Sequence, residues 1–132
     1  MSTVLVVDDE SPVRELTVRM LREAGYDTIQ AVDGLDAWHQ LRREATKVDA
    51  IVSDVVMPRM TGTELVARVQ THRPQLPIIL MSGYSANDLR ARGLEEAPVP
   101  LLTKPFTQDE LVAAVTGLLR ASFGLQTGFR PA

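Results

Sequence analysis

Short apolar runs alternate with longer, partly polar stretches of helical period along this chain. Thr3-Val4-Leu5-Val6-Val7, Ala50-Ile51-Val52-Ser53, Ile78-Ile79-Leu80-Met81 and Val99-Pro100-Leu101-Leu102-Thr103 are apolar at nearly every position. Such runs suit strands buried on both faces, as in a parallel sheet covered by helices. Thr28-Ile29-Gln30-Ala31 is weaker and predicts an edge strand. Val13, Leu16, Met20, Leu21 and Ala24 recur at helical spacing, so one face of a first helix should cover the sheet. Ser11 is placed to cap that helix, Pro12 fits its first position and Gly25 its exit. Asp33-Gly34 turns into a second helix with Leu35, Trp38 and Leu41. Thr61 with Glu64 makes a capping-box pattern ahead of a third helix with Leu65 and Val69, and Pro74 and Pro77 bracket its exit. The segment 85–97 has cap residues in Ser85 and Asp88, but Gly93 interrupts it and its apolar stripe is thin. Low local burial should make it the most mobile element. Thr107 with Glu110 repeats the capping box and opens a final helix with Leu111, Val115, Leu118 and Leu119.

The pattern predicts five βα units in one α/β domain, (βα)5, over residues 1–120. Residues 121–132 contain Gly and Pro without periodicity and are expected to form a frayed tail. A length of 132 residues suits a single domain with a real core. With 14 basic and 17 acidic residues, the net charge of −3 offers no electrostatic footprint for nucleic acid. No stretch approaches the roughly 20 apolar residues of a membrane span, and the first residues do not read as a signal peptide. Cysteine is absent, which excludes disulfides and thiolate metal sites and is compatible with a cytoplasmic location.

Strand ends of an open α/β sheet line the crevice where such folds bind ligands. Here Asp8 and Asp9 follow the first run, Asp54 ends the third, Ser82 the fourth, and Lys104-Pro105 follows the fifth. Crowded carboxylates raise one another's proton affinity, and a divalent cation relieves that cost. Hard oxygen donors, with no Cys and no nearby His, favour Mg²⁺ over zinc or copper. Asp9 and Asp54 would hold the metal, the backbone carbonyl of Val56 is available as a third ligand, and Asp8 suits the orienting of metal waters. Phosphoryl transfer needs an aligned nucleophile and neutralised oxygens. Asp54 is the candidate nucleophile, forming an acyl phosphate, while Lys104 and Ser82 can meet phosphoryl oxygens. An isolated acidic pair more often caps a turn, but these residues at successive strand ends leave little room for that reading. His39 and His72 are expected at the surface, Trp38 in packing, Met57 and Met60 as filler. Tyr84 suits either loop packing or a place over the site. Lys104-Pro105 is compatible with either peptide isomer.

These residues resemble the motifs of response-regulator receiver domains of two-component signalling. The likeness covers about residues 4–120: Asp8-Asp9, then Asp54 with Val55-Val56-Met57-Pro58 and Gly62, then Ser82-Gly83 and Lys104-Pro105-Phe106. The resemblance implies a flavodoxin-like sheet of order 2-1-3-4-5 with helices on both faces. It implies transfer to Asp54 from a phosphohistidine of a sensor histidine kinase or of a histidine phosphotransfer protein. It also implies a signalling domain that assists its own phosphorylation and dephosphorylation, as a monomer or weak homodimer with an unnamed downstream protein partner. The strings around Ser82 and Lys104 are similar to those of receivers attached to hybrid kinases, and a stand-alone regulator fits equally. One departure stands out: Leu101 occupies the position, three before the lysine, where receivers usually carry Tyr or Phe. A small aspartyl-phosphate phosphatase would place an acid two residues after the nucleophile, where this chain has Val56. A flavodoxin-like flavin carrier would need a Gly-rich phosphate loop after the first strand and clustered aromatics, and neither is present.

Overall fold

The computed structural model describes residues 2–43, 47–94 and 97–126, with side chains to residue 122. Five strands, β1 (Thr3–Val7), β2 (Asp27–Ala31), β3 (Ala50–Asp54), β4 (Ile78–Ser82) and β5 (Leu101–Thr103), form one sheet in the order β2-β1-β3-β4-β5. Every neighbouring pair is parallel. The helices are α1 (Ser11–Glu23), α2 (Gly34–Leu41), α3 (Gly62–His72), α4 (Ala86–Ala91) and α5 (Gln108–Gln126). This is the expected (βα)5 arrangement, with β2 at one edge.

Strand residues alternate between two cores because successive side chains point to opposite faces. Val4, Val6, Val52, Ile79 and Met81 pack with Val18 and Leu21 of α1 and Leu111 and Val115 of α5. Leu5, Val7, Ile51 and Leu80 pack on the other side with α2 and α3, and with Leu89 of α4. Both faces of β1, β3 and β4 are therefore dry, which explains the unbroken apolar runs.

Caps follow the expected residues at four of five helices. Asp33, Thr61 and Ser85 each accept a backbone N–H three residues on. Thr107 and Glu110 close a reciprocal box, with N–H to side-chain distances of 3.1 and 3.0 Å. The first helix differs. Ser11 lies inside it, and Glu10 stands at the cap without a side-chain bond. Its buried face is also rotated from the expected one: Arg14, Thr17, Val18 and Leu21 are buried, while Leu16 is 49% exposed. Arg14 displaces the apolar stripe because its guanidinium finds three oxygen partners, on Gln30 of β2, on Asp8 after β1 and on Ser11 at the α1 start, so a cation satisfies a buried position. The boundary expected at Arg120 falls inside α5, which runs six residues further to Gln126. Helix propagation needs no apolar stripe once a packed helix is nucleated, so lost periodicity did not mark its end. The expected tail beyond residue 126 lies outside the described residues.

Candidate functional site

Register delivers the predicted residues to one end of the sheet. Val7 of β1 pairs with Ser53 of β3, so Asp8 and Asp54 leave adjacent strands side by side. Asp54 pairs with Met81, and Ser82 with Thr103, which brings Ser82 and Lys104 to the same rim. The carboxylates of Asp8, Asp9 and Asp54 each offer an oxygen within 4.8 Å of the others. Asp8 and Asp54 are buried and Asp9 is exposed, so the cluster opens to solvent through Asp9.

Lys104 bridges the two buried members, its Nζ lying 3.1 Å from Asp8 Oδ2 and 3.6 Å from Asp54 Oδ2. The N–H of Val55 donates to Asp54 Oδ1 at 3.0 Å, and that of Glu10 to Asp8 Oδ1 at 3.0 Å. Burial pushes the Asp54 carboxyl up to about 6, with the charges of Asp8 and Asp9 adding to it against Lys104 and the Val55 N–H. One ammonium thus faces three carboxylates, and the cluster carries surplus negative charge. Two ligands on one Mg²⁺ at about 2.1 Å stand no more than about 4.2 Å apart. Small side-chain adjustments would therefore bring this group to a single hard cation, and its all-oxygen donors suit one.

Ser82 Oγ accepts the N–H of Tyr84 at 2.9 Å, and the Ser82 carbonyl accepts that of Lys104 at 2.8 Å. Tyr84 is partly exposed, and the Arg92 guanidinium lies 4.0 Å from the centre of its ring. Lys104-Pro105 is cis. Gly62 closes the loop after β3: a Cβ there would meet the Asp54 carbonyl at 2.3 Å, so only glycine fits. His39 and His72 are exposed, and the His72 ring lies edge-on to Trp38, at 4.9 Å between centres. Both stay away from the cluster. Leu101 is 37% exposed and borders a small cavity under α4 with Val55, Leu80 and Leu89.

Sequence reasoning missed two groups at the rim. Arg14 reaches back from α1 to donate to the Asp8 carbonyl at 2.7 Å and to Gln30 at 3.0 Å. A cation at helical spacing with Thr17 and Leu21 was the available signal. The second is Arg59 in the loop after Asp54, whose guanidinium binds Asp33. Nothing in the local pattern links residues 26 apart.

The fold and the rim define an α/β domain with a lysine-bridged carboxylate cluster at its strand ends, and comparison names its family. The model of the response-regulator receiver domain matches residues 4–116, and the chain belongs to that family. A sensor kinase CckA of Brucella abortus is 39% identical over 119 residues, covering 89% of this chain and 12% of the kinase. A transcriptional regulatory protein PrrA of Mycobacterium tuberculosis is 41% identical over 119 residues, 89% of this chain and 49% of that protein. The chain thus spans half or less of these curated relatives. Among solved structures, the response regulator TrrA of Thermotoga maritima, in complex with Mg²⁺ and BeF, has a TM-score of 0.75 at 31% identity. That match covers 89% of this chain and 99% of TrrA. Among the described residues no helix is long and apolar enough to cross a membrane.

Proposed function

We propose that this receiver domain accepts a phosphoryl group from a phosphohistidine onto Asp54, with Mg²⁺ required, and passes the signal on through protein contacts. The observation that carries the reading is a buried carboxylate held 3.6 Å from a lysine within a three-carboxylate rim. TrrA, bound to Mg²⁺ and BeF, supports it, as does likeness to a sensor kinase. Asp9, Asp54 and the Val56 carbonyl would hold the metal, and Asp8 would orient its waters. The ion supplies positive charge against the crowded carboxylates and the phosphoryl oxygens.

In the transfer, an Asp54 carboxylate oxygen forms a bond to phosphorus. The bond from phosphorus to the imidazole nitrogen breaks, and its electron pair stays on the ring. With a pKa of about 6, Asp54 is mostly ionised at neutral pH and needs no general base. Lys104 turns one of its two carboxylate contacts toward a phosphoryl oxygen. Ser82 gives its hydroxyl hydrogen to another. A groove of about 450 Å³ lined by Val13, Leu16, Met20, Pro105 and Phe106 runs beside Lys104, and its open apolar floor suits a helix of the donor protein.

Incubation with phosphoramidate and Mg²⁺ should add one phosphoryl group by intact mass, absent in Asp54→Asn and without Mg²⁺. A full adduct on Asp54→Asn at the wild-type rate refutes the assignment. Leu16→Arg should leave the phosphoramidate rate unchanged and slow transfer from a phosphorylated kinase by about tenfold, the effect of losing ~1.4 kcal/mol in a buried contact.

A further inference from the structure

The loop between β3 and α3 leads from Asp54 through Val56 to Gly62, and one bond inside it is unusual. The N–H of Met60 donates to the Pro58 carbonyl at 2.7 Å, a three-residue turn centred on Arg59. Arg59 has φ 66°, and among the described residues no other non-glycine residue has a positive φ. A side chain at the centre of such a turn is strained, and strain persists only where the surroundings over-determine it. The surroundings here are specific. Arg59 Nε donates to Asp33 Oδ2 at 2.8 Å, and its Nη2 reaches the same oxygen. Asp33 is itself buried, and its other oxygen caps α2 by accepting the Asp36 N–H at 2.8 Å. On either side of the turn Met57 and Met60 are buried. Gly34 lies so close that a Cβ there would stand 2.5 Å from the Met60 carbonyl. The α2 start and this loop are therefore fastened together at a buried carboxylate and at a backbone contact.

We infer that Arg59 is a positioning residue for the metal-binding side of the site: through Asp33 it holds the strained turn of the loop that carries Val56, whose carbonyl would be a metal ligand. The inference rests on the reading above and assigns to Arg59 and Asp33 a part in it. Arg59 is itself exposed, and its guanidinium pair with Asp33 is the charged contact that ties the centre of the turn to the α2 start. Asp33 serves two tasks with two oxygens, and they can be separated. Asparagine caps helices as well as aspartate does, but it cannot form the charged bond.

The test compares Arg59→Gly, Arg59→Lys, Asp33→Asn and the Asp33→Asn/Arg59→Gly pair, measuring Mg²⁺ affinity by calorimetry and thermal stability in EDTA. Arg59→Gly relieves the backbone strain while removing the clamp. Its stability should hold or rise while its Mg²⁺ affinity falls about tenfold, the lower end of the loss typical for groups that orient metal ligands. A purely structural residue would move both in the same direction. Arg59→Lys should keep only part of the affinity, because an ammonium lacks the guanidinium fork. Asp33→Asn should lose as much Mg²⁺ affinity as Arg59→Gly without its relief of strain, and the pair should bind no more weakly than either alone, as expected for one shared interaction. Wild-type affinity in Arg59→Gly, or full additivity in the pair, overturns the inference and leaves the Asp54 reading standing. Absence of Mg²⁺ binding and of phosphorylation in the wild type overturns both.

Discussion

Replacing Asp54 with Asn should stabilise the metal-free protein at neutral pH. Asp54 is buried beside Asp8, and the folded chain raises its carboxyl from 3.8 to about 6. Folding therefore favours the protonated form, and above pH 6 the ionised group opposes folding. The folded state binds more protons than the unfolded one between about 3.8 and 6, so stability falls as pH rises through that window and is level above it. About two units at 1.36 kcal/mol each set a ceiling near ~3 kcal/mol. Asparagine also gives up the 3.6 Å attraction to Lys104, which keeps its 3.1 Å bond to Asp8. The net gain should be about 1–2 kcal/mol, or roughly 4–8 °C in Tm for a domain of this size. Thermal melts of both proteins in EDTA at pH 7.5 and pH 4.5 measure it. The gap should be full at the higher pH and shrink at the lower. With Mg²⁺ the wild type should recover stability by mass action, while Asp54→Asn recovers less. Equal melting temperatures at pH 7.5, or a gap that ignores pH, would show that the carboxylate is not held at a cost and would undo the electrostatic account of the cluster.

Gly62→Ala should destabilise the fold by about 2 kcal/mol or more, since a Cβ 2.3 Å from the Asp54 carbonyl must displace backbone; urea denaturation measures it. Phosphate readout should centre on the loop after β4, because Ser82 must release the Tyr84 N–H to turn toward a phosphoryl oxygen. A beryllofluoride complex should then shift the amide resonances of Ser82 to Tyr84 and of Arg92, which stacks on that ring, more than those of Leu101. The reverse order of shifts, with Leu101 and α5 moving most, would contradict it.

Periodicity, helped by cap and turn residues at the weaker fourth helix, determined the five βα units, since a strand buried on both faces must be apolar throughout and a covering helix must show its stripe. The rim was legible for the same reason. In a parallel sheet every strand carboxyl end reaches one edge, so Asp8, Asp54, Ser82 and Lys104 had to converge once their runs were read as strands. The tertiary structure decided what depends on partners distant in the chain. Leu16 lost its place on the inner face of α1 because Arg14 could be buried against the Asp8 carbonyl, a partner that local pattern does not reveal. The helix α5 continued past Arg120 although its apolar period had lapsed. The raised pKa of Asp54 came from burial and crowding together, not from its own neighbours in sequence. Arg59 and Asp33 sit on separate loops, and only the close approach of α2 to the β3–α3 loop makes a strained turn tolerable there. Hydrophobic period and most helix caps are local properties of the chain, whereas charge pairing and strain are settled by what the fold brings into contact.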